Sequence, residues 1–195
     1  MEEKFKVLIE YTRQFTDLDD VEIYEMVKGL KIEEYEKGRV LISQGEVPER
    51  GYFVLKGMTR KYAVDEDGNE TTYGFYSEKQ SIVVFYDHGE ELESPYNIVC
   101  LEPCIMIVSE LSEEEKAYDE TPEFREMTRL MIADNMDKVQ EELTSYIRHT
   151  PEQRVKKIMD TRPELLTRVP QHQLASYLGM KPESLSRIKR RLEEK

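Results

Sequence analysis

Residues 168–192, RVPQHQLASYLGMKPESLSRIKRRL, constrain the fold of this chain more than any other stretch. Leu174, Ala175 and Leu178 recur at helical spacing, and Gly179 follows where a helix ends on a residue of positive φ. Pro182 then stands where the first turn of a new helix needs no N–H. Leu185, Ile188 and Leu192 fall at i, i+3 and i+7, which predicts one inward face. The other faces carry Glu183, Ser184, Ser186, Arg187, Lys189, Arg190 and Arg191. Two short helices, a tight turn and a basic second helix make the pattern of a helix-turn-helix, whose second helix enters the major groove of DNA. A plain helical hairpin with a solvated basic face fits the same spacing.

The net charge of −13 speaks against nucleic-acid binding only when it is taken as a whole. From Arg148 onward there are 12 basic and 6 acidic residues, and the remainder holds 16 basic against 35 acidic. An acidic body with a basic head predicts DNA contact confined to the C-terminal end and strongly weakened by salt. Charged residues are 35% of the chain, and no apolar run approaches the roughly 18 residues of a membrane span. With no signal-peptide pattern either, the expectation is a cytoplasmic protein without a membrane partner. Cys100 and Cys104 are the only cysteines, too few for an iron–sulfur cluster or a four-thiolate zinc site, and they read as buried reduced thiols.

Between Ile32 and Ser109 the texture changes to Tyr, Val, Ile and Phe punctuated by glycine. Arg39–Ser43, Tyr52–Leu55, Arg60–Val64, Thr71–Tyr76 and Ile98–Leu101 read as strands, with Asp67-Gly68 as a hairpin turn. Short strands at this spacing predict a β-roll or jelly roll. An amphipathic helix precedes it near Asp17–Lys28, with Thr16 as cap and Gly29 as stop. After the roll, Ser112 and Glu115 make a capping-box pattern. A long helix then starts at Thr121-Pro122 and runs to about Arg148. Along it Ile132, Met136, Val139, Leu143 and Tyr146 recur at intervals of 4, 3, 4 and 3, a coiled-coil seam that Asn135 helps to register. The seam predicts a homodimer, and packing on the chain's own β domain is the alternative. Thr150 and Gln153 form a second capping box, so His149 and Thr150 mark the hinge to the head.

The order of β-roll, long helix and helix-turn-helix resembles the Crp/Fnr superfamily of bacterial transcription regulators. The roll entry carries the resemblance: Tyr35-x-Lys37-Gly38-x-x-Leu41-x-x-Gln44-Gly45-Glu46, then Tyr52-Phe53-Val54-Leu55-Lys56-Gly57. The resemblance implies an α+β fold divided into a cyclic nucleotide-binding-like effector domain over 1–118, a dimerisation helix over 119–148 and a DNA-binding domain over 149–195. It also implies an inverted-repeat operator, a homodimer and RNA polymerase as partner.

The ligand cassette departs from the family pattern. Val83-Val84 stand where the family has Gly-Glu, and Ser94-Pro95 stand where it has Arg-Ser. The loop between holds Asp87, Glu90, Glu91 and Glu93 and no Lys or Arg. Losing the arginine removes a charge-assisted bond worth roughly 1.5–3 kcal/mol, and Pro95 removes an N–H. The expectation is a roll that does not hold cAMP, leaving an unknown small effector or none. The loop lacks the alternating ligands of an EF-hand, and His88 alone does not make a haem site. No cofactor is expected. Histidines at 88, 149 and 172 lie in separate segments, and no P-loop, nucleophile elbow or HExxH is present, so no catalysis is expected.

In the head, the resemblance places Pro182, Glu183, Ser184 and Arg187 at base edges. Arg187 suits guanine O6 and N7, and Glu183 suits a cytosine N4. Glu183 and Arg187 are also spaced to pair with each other on the helix. Pro182 replaces the family's first arginine on this face, so the target sequence differs. Gln171, His172, Ser186, Lys189 and Arg190 are placed for phosphates. Asp160–Arg168 reads as a helical turn after Pro163, implying a reduced wing. Two alternatives remain: a cyclic-nucleotide-responsive regulator with non-standard pocket residues, and a protein-interaction module that no longer binds DNA.

Overall fold

The computed structural model describes residues 5–82, 92–111 and 121–194. Two helices open the chain, α1 (Lys6–Thr12) and α2 (Asp20–Val27). Among the described residues eight strands follow: β1 (Lys31–Tyr35), β2 (Val40–Ile42), β3 (Arg50–Lys56), β4 (Thr59–Val64), β5 (Glu70–Tyr76), β6 (Ser81–Ile82), β7 (Asn97–Cys100) and β8 (Cys104–Glu110). The chain ends in helices α3 (Pro122–Arg148), α4 (Pro151–Thr161), α5 (Leu165–Arg168), α6 (Gln171–Tyr177) and α7 (Pro182–Glu193). By contacts it forms two units. The first joins Met1–Lys61 to Phe75–Asn135, and the second joins Tyr62–Gly74 to Met136–Lys195.

The strands make two four-stranded sheets, ordered β1-β8-β3-β6 and β2-β7-β4-β5. Antiparallel pairing sets Tyr52 opposite Val108 and Ile32 opposite Ile107. Strand β3 is buried from Gly51 to Leu55 without alternation because both of its faces are covered. Val54, Met106, Val108, Cys100 and Cys104 pack in one core cluster. Phe53, Leu55 and Ile107 pack in another with Leu8, Ile9 and Tyr11 of α1 and Ile23 and Val27 of α2. Gly57 turns β3 into β4 at φ +104°, and a Cβ there would stand 2.6 Å from Cys104 Sγ and 2.8 Å from the Pro103 carbonyl. Only glycine fits that turn. The Asp67-Gly68 turn is held by Asp65, whose carboxylate accepts from the N–H groups of Asp67 at 3.0 Å and Asn69 at 2.8 Å. Those bonds hold the Asp65 carboxyl below its ordinary range.

The strand expectations hold to within a residue or two, but the opening helix does not sit as expected. It starts at Asp20, not Asp17, because Asp19 rather than Thr16 caps it. The Asp19 carboxylate accepts from Val21 and Glu22, and Glu22 reaches back to the Asp19 N–H at 2.8 Å. Two satisfied orphan amides outweigh one hydroxyl cap. Thr16 Oγ1 instead accepts from Leu18 N–H at 3.3 Å. Helix α1 was not anticipated at all. The Ser112–Glu115 capping pattern lies outside the described residues, as do Val83-Val84, Asp87, His88, Glu90 and Glu91.

Helix α3 carries two apolar faces. Met127 is buried, and Met131 packs against the helix-side cluster of the roll. Of the expected seam, Ile132 lines the same cavity as Met127 and Met131 while 43% exposed, and Met136, Val139 and Leu143 are 54%, 59% and 59% exposed.

Candidate nucleic-acid interface

The head is built as the spacing requires. The Thr150 capping box opens α4, with Thr150 Oγ1 accepting from Gln153 N–H and Gln153 Oε1 from Thr150 N–H. Val155, Ile158, Leu165, Leu174, Ala175, Leu178 and Leu185 form buried positions of the helices. Gly179 has φ +64°. Met180 N–H bonds the Ala175 carbonyl and Gly179 N–H bonds that of Ser176, each at 3.0 Å. This pair is a Schellman motif, which satisfies the last carbonyls of α6 and turns the chain toward α7. Pro182 occupies the first turn of α7, as expected. The stretch after Pro163 is the short helix α5, and among the described residues no strand lies beyond Arg148.

The inward side of α7 is Leu185, with Ile188 and Leu192 half-buried. Glu183, Ser186, Arg187 and Arg190 are exposed, and Pro182, Ser184 and Lys189 are half-buried. Arg187 donates to Ser184 Oγ at 3.4 Å, a long contact that leaves the guanidinium fork available to an acceptor outside. It turns to Ser184 and not to Glu183, its expected helical partner. On α6, Gln171 and His172 are exposed. Gln171 Nε2 donates to the Pro182 carbonyl at 3.1 Å and to Ser186 Oγ. Gln171 and Ser186 thus meet each other and fasten the start of α6 to α7. Arg190 lies 3.9 Å from Glu194, and Arg191 pairs with Glu152 of α4.

Sequence reasoning missed the residues that tie this head to the end of α3. The Arg154 guanidinium lies 4.4 Å from the Tyr146 ring centroid, and Arg154 Nη1 donates to the Leu178 carbonyl at 2.7 Å. Tyr146, expected in the seam, has its ring engaged there within its own chain. Arg162 lies between Glu142 at 4.0 Å and Glu164 at 3.4 Å. Thr72 N–H in the β4–β5 hairpin donates to Ser176 Oγ at 3.0 Å. No spacing rule links position 72 to position 176. Burial, with Glu142 beside it, pushes the Tyr177 hydroxyl from its ordinary 10.0 up to about 12. The folded head holds this proton more tightly than the open chain does, so the associated stability is complete below pH 10 and is lost as pH rises through about 12. An alkaline NMR titration is expected to show the Tyr177 ring protons shifting near pH 12 and not near pH 10. Ionisation near pH 10 with the head intact would contradict this.

In the roll, Ser94 is spent locally: its Oγ donates to the Tyr96 carbonyl at 2.8 Å and accepts from Tyr96 N–H at 3.2 Å. Two cations on β4 escaped the sequence reading. Arg60 is 4% exposed, and Lys61 Nζ lies 4.0 Å above the Tyr96 ring, with burial lowering its pKa. Cys100 and Cys104 are free and buried. Among the described residues no group of three or more His, Cys, Asp or Glu side chains is placed to hold a metal ion. No described helix is long and apolar enough to cross a membrane.

Residues 32–119 match the family model described as the cyclic nucleotide-binding domain. The chain shares its fold with solved Crp/Fnr-family regulators. FixK2 from Bradyrhizobium japonicum superposes with a TM-score of 0.71 at 18% identity, covering 85% of each chain. The c-di-GMP responsive global regulator CLP of Xanthomonas campestris superposes at 0.64 with 13% identity, over 90% of this chain and 92% of that one. The catabolite activator protein of Thermus thermophilus gives 0.53 and 18% identity, over 92% and 86%. No curated protein matches the chain by sequence. The shared fold is mixed α and β, with antiparallel sheets first, then a long helix and further helices.

Proposed function

We propose that the chain is a homodimeric, sequence-specific DNA-binding transcription regulator. Residues 1–118 form its effector domain, 119–148 its dimerisation helix and 149–195 its DNA reader. One observation carries the reading: the basic outer face of α7, with Glu183 and Arg187, is exposed on a head held by its own core. Glu183 and Arg187 read base edges, with Pro182 and Ser184 beside them. His172, Lys189 and Arg190 meet phosphates, and Gln171 with Ser186 does so while locking α6 to α7. Catalysis is not part of the reading, and neither is a cofactor. The regulators CLP and CAP among the similar structures support regulation as the general role. Two copies reading an inverted repeat, RNA polymerase as the partner and the cytoplasm as the location complete the proposal.

Arg187→Ala decides it. Selection from a random duplex pool is expected to recover an inverted repeat with the unaltered chain. The variant is expected to lose about 1–3 kcal/mol of discrimination at one base pair per half-site. Retained preference at every position, or no salt-dependent duplex binding by the unaltered chain, overturns the reading. The second result would favour the protein-interaction alternative.

A regulator that answers to an anionic nucleotide is the second reading, and Arg60 favours it. It is a cation only 4% exposed on β4, a non-standard residue of the kind such a reading needs in place of the family's arginine. Titration calorimetry with cAMP and cGMP separates this from a roll that binds neither.

A further inference from the structure

A long-range hydrogen bond joins the hairpin of β4 and β5 to the helix-turn-helix. Thr72 N–H of β5 donates to Ser176 Oγ of α6 at 3.0 Å, across 104 positions of chain. Strand β5 is an edge of its sheet, so this N–H points away from β4 and has no ladder partner there. Thr72 is 4% exposed, which shields the bond from water. The hairpin residues Tyr62–Gly74 form one compact unit with Met136–Lys195.

Charge gives this contact its sign. Between Tyr62 and Gly74 stand Asp65, Glu66, Asp67 and Glu70, with no Lys or Arg. All four are exposed. The head they adjoin carries 12 basic and 6 acidic residues from Arg148 onward. Ser176 stands four residues after His172, one turn along the same face of α6. His172 is exposed and is one of the residues assigned above to phosphate. The hairpin is therefore bound to the face of α6 that a DNA backbone approaches. Glu70 is two residues from Thr72, about 7 Å of strand, and His172 is about 5.4 Å of helix from Ser176. These lengths are comparable with the screening length of roughly 8–10 Å at physiological salt, so hairpin carboxylates and phosphates repel.

We infer that the β4–β5 hairpin is an autoinhibitory clamp: docked on α6 through Thr72 and Ser176, it holds its carboxylates where phosphates arrive, and duplex DNA binds more tightly once it is released. The inference rests on the reading of residues 149–195 as a DNA reader. Two effects act together. The bond favours the docked state, and a head that is open only part of the time binds with an affinity lowered by that fraction. The carboxylates act through space, an effect that salt removes. Release leaves no orphan, because the edge N–H and the serine hydroxyl both pass to water.

The test follows binding of the full chain to a fluorescein-labelled duplex of mixed sequence by anisotropy, at about 50 mM and about 200 mM salt. Ser176→Ala removes the acceptor and keeps a strong helix former in α6. It is expected to bind about threefold to tenfold more tightly than the unaltered chain at both salts. Glu66→Gln with Asp67→Asn leaves the Asp65 bonds of the turn in place. This pair is expected to gain about threefold at the lower salt and to lose most of that gain at the higher. Hydrogen exchange of the Thr72 amide reports the clamp itself: slow in the unaltered chain, faster with saturating duplex, and fast throughout in Ser176→Ala. The clamp is overturned, and the DNA reader left standing, if Ser176→Ala binds no more tightly, if the neutralised tip gains nothing at the lower salt, or if the Thr72 amide stays as slow on DNA as off it. Absence of duplex binding by all three chains overturns both.

Discussion

A chain carrying Val139→Glu together with Leu143→Glu is expected to sediment as a monomer where the unaltered chain sediments as a dimer. Both side chains are 59% exposed, on the face of α3 turned away from Met127. They lie one helical turn apart, the spacing at which knobs of one helix enter holes of another. Burying a Val or Leu side chain is worth roughly 1.5–3 kcal/mol, and each substitution removes that contribution from two copies at once. The new carboxylates would also meet their symmetry mates across the axis, a like-charge contact in a closing interface. Because this face is open, the thermal melt of roll and head is expected to change little. Loss of dimerisation is also expected to cut affinity for a two-half-site operator by about 10²–10⁴, since each head then binds alone. An unaltered chain that is monomeric at assay concentration, or a double variant that stays dimeric, would show that the seam is not the interface.

Gly179→Ala is expected to destabilise the head by about 1–2 kcal/mol from backbone strain alone, because a left-handed residue with a Cβ costs that much. The native φ is +64°. A Cβ there would also stand 2.0 Å from Tyr146 Oη, 3.0 Å from its Cζ and 3.2 Å from Arg154 Nη1. The phenol is the free end of a half-exposed side chain, so it swings away instead of breaking the fold. In doing so it leaves the guanidinium of Arg154. Denaturant melts of Gly179→Ala in the native and Tyr146→Ala backgrounds separate the two effects. The strain persists in both, and the steric part vanishes in the second. Equal losses in both backgrounds would show that Tyr146 does not constrain position 179.

The head was legible because its signals are local. Gly179, Pro182 and the Thr150–Gln153 box each act within one turn of chain, and each stands where its chemistry requires. The strands were legible for a related reason, since β-branched and aromatic runs broken by glycine leave few other folds. What escaped was non-local. Helix α1 is short and its burial depends on Phe53 and Ile107, far along the chain. Asp19 and Thr16 are both plausible caps, and only the reciprocal bond from Glu22 separates them. Arg60 escaped because a buried cation on a strand looks, in sequence, like an exposed one. On α7, the exposure of Glu183 and Arg187 followed from helical period. The bond between Gln171 and Ser186 needed the crossing of two helices, which period alone does not supply.

If Val139 and Leu143 form the proposed seam, the two apolar rows of α3 leave little freedom in its length. One residue inserted between Met131 and Ile132 rotates everything after it by about 100°, which carries the outward row out of line with the inward one. Drift in the length of this helix is therefore confined to steps that restore its phase, near seven residues at a time. On that reading, the phase between Met127 and Leu143 is what fixes the direction in which the second copy is presented.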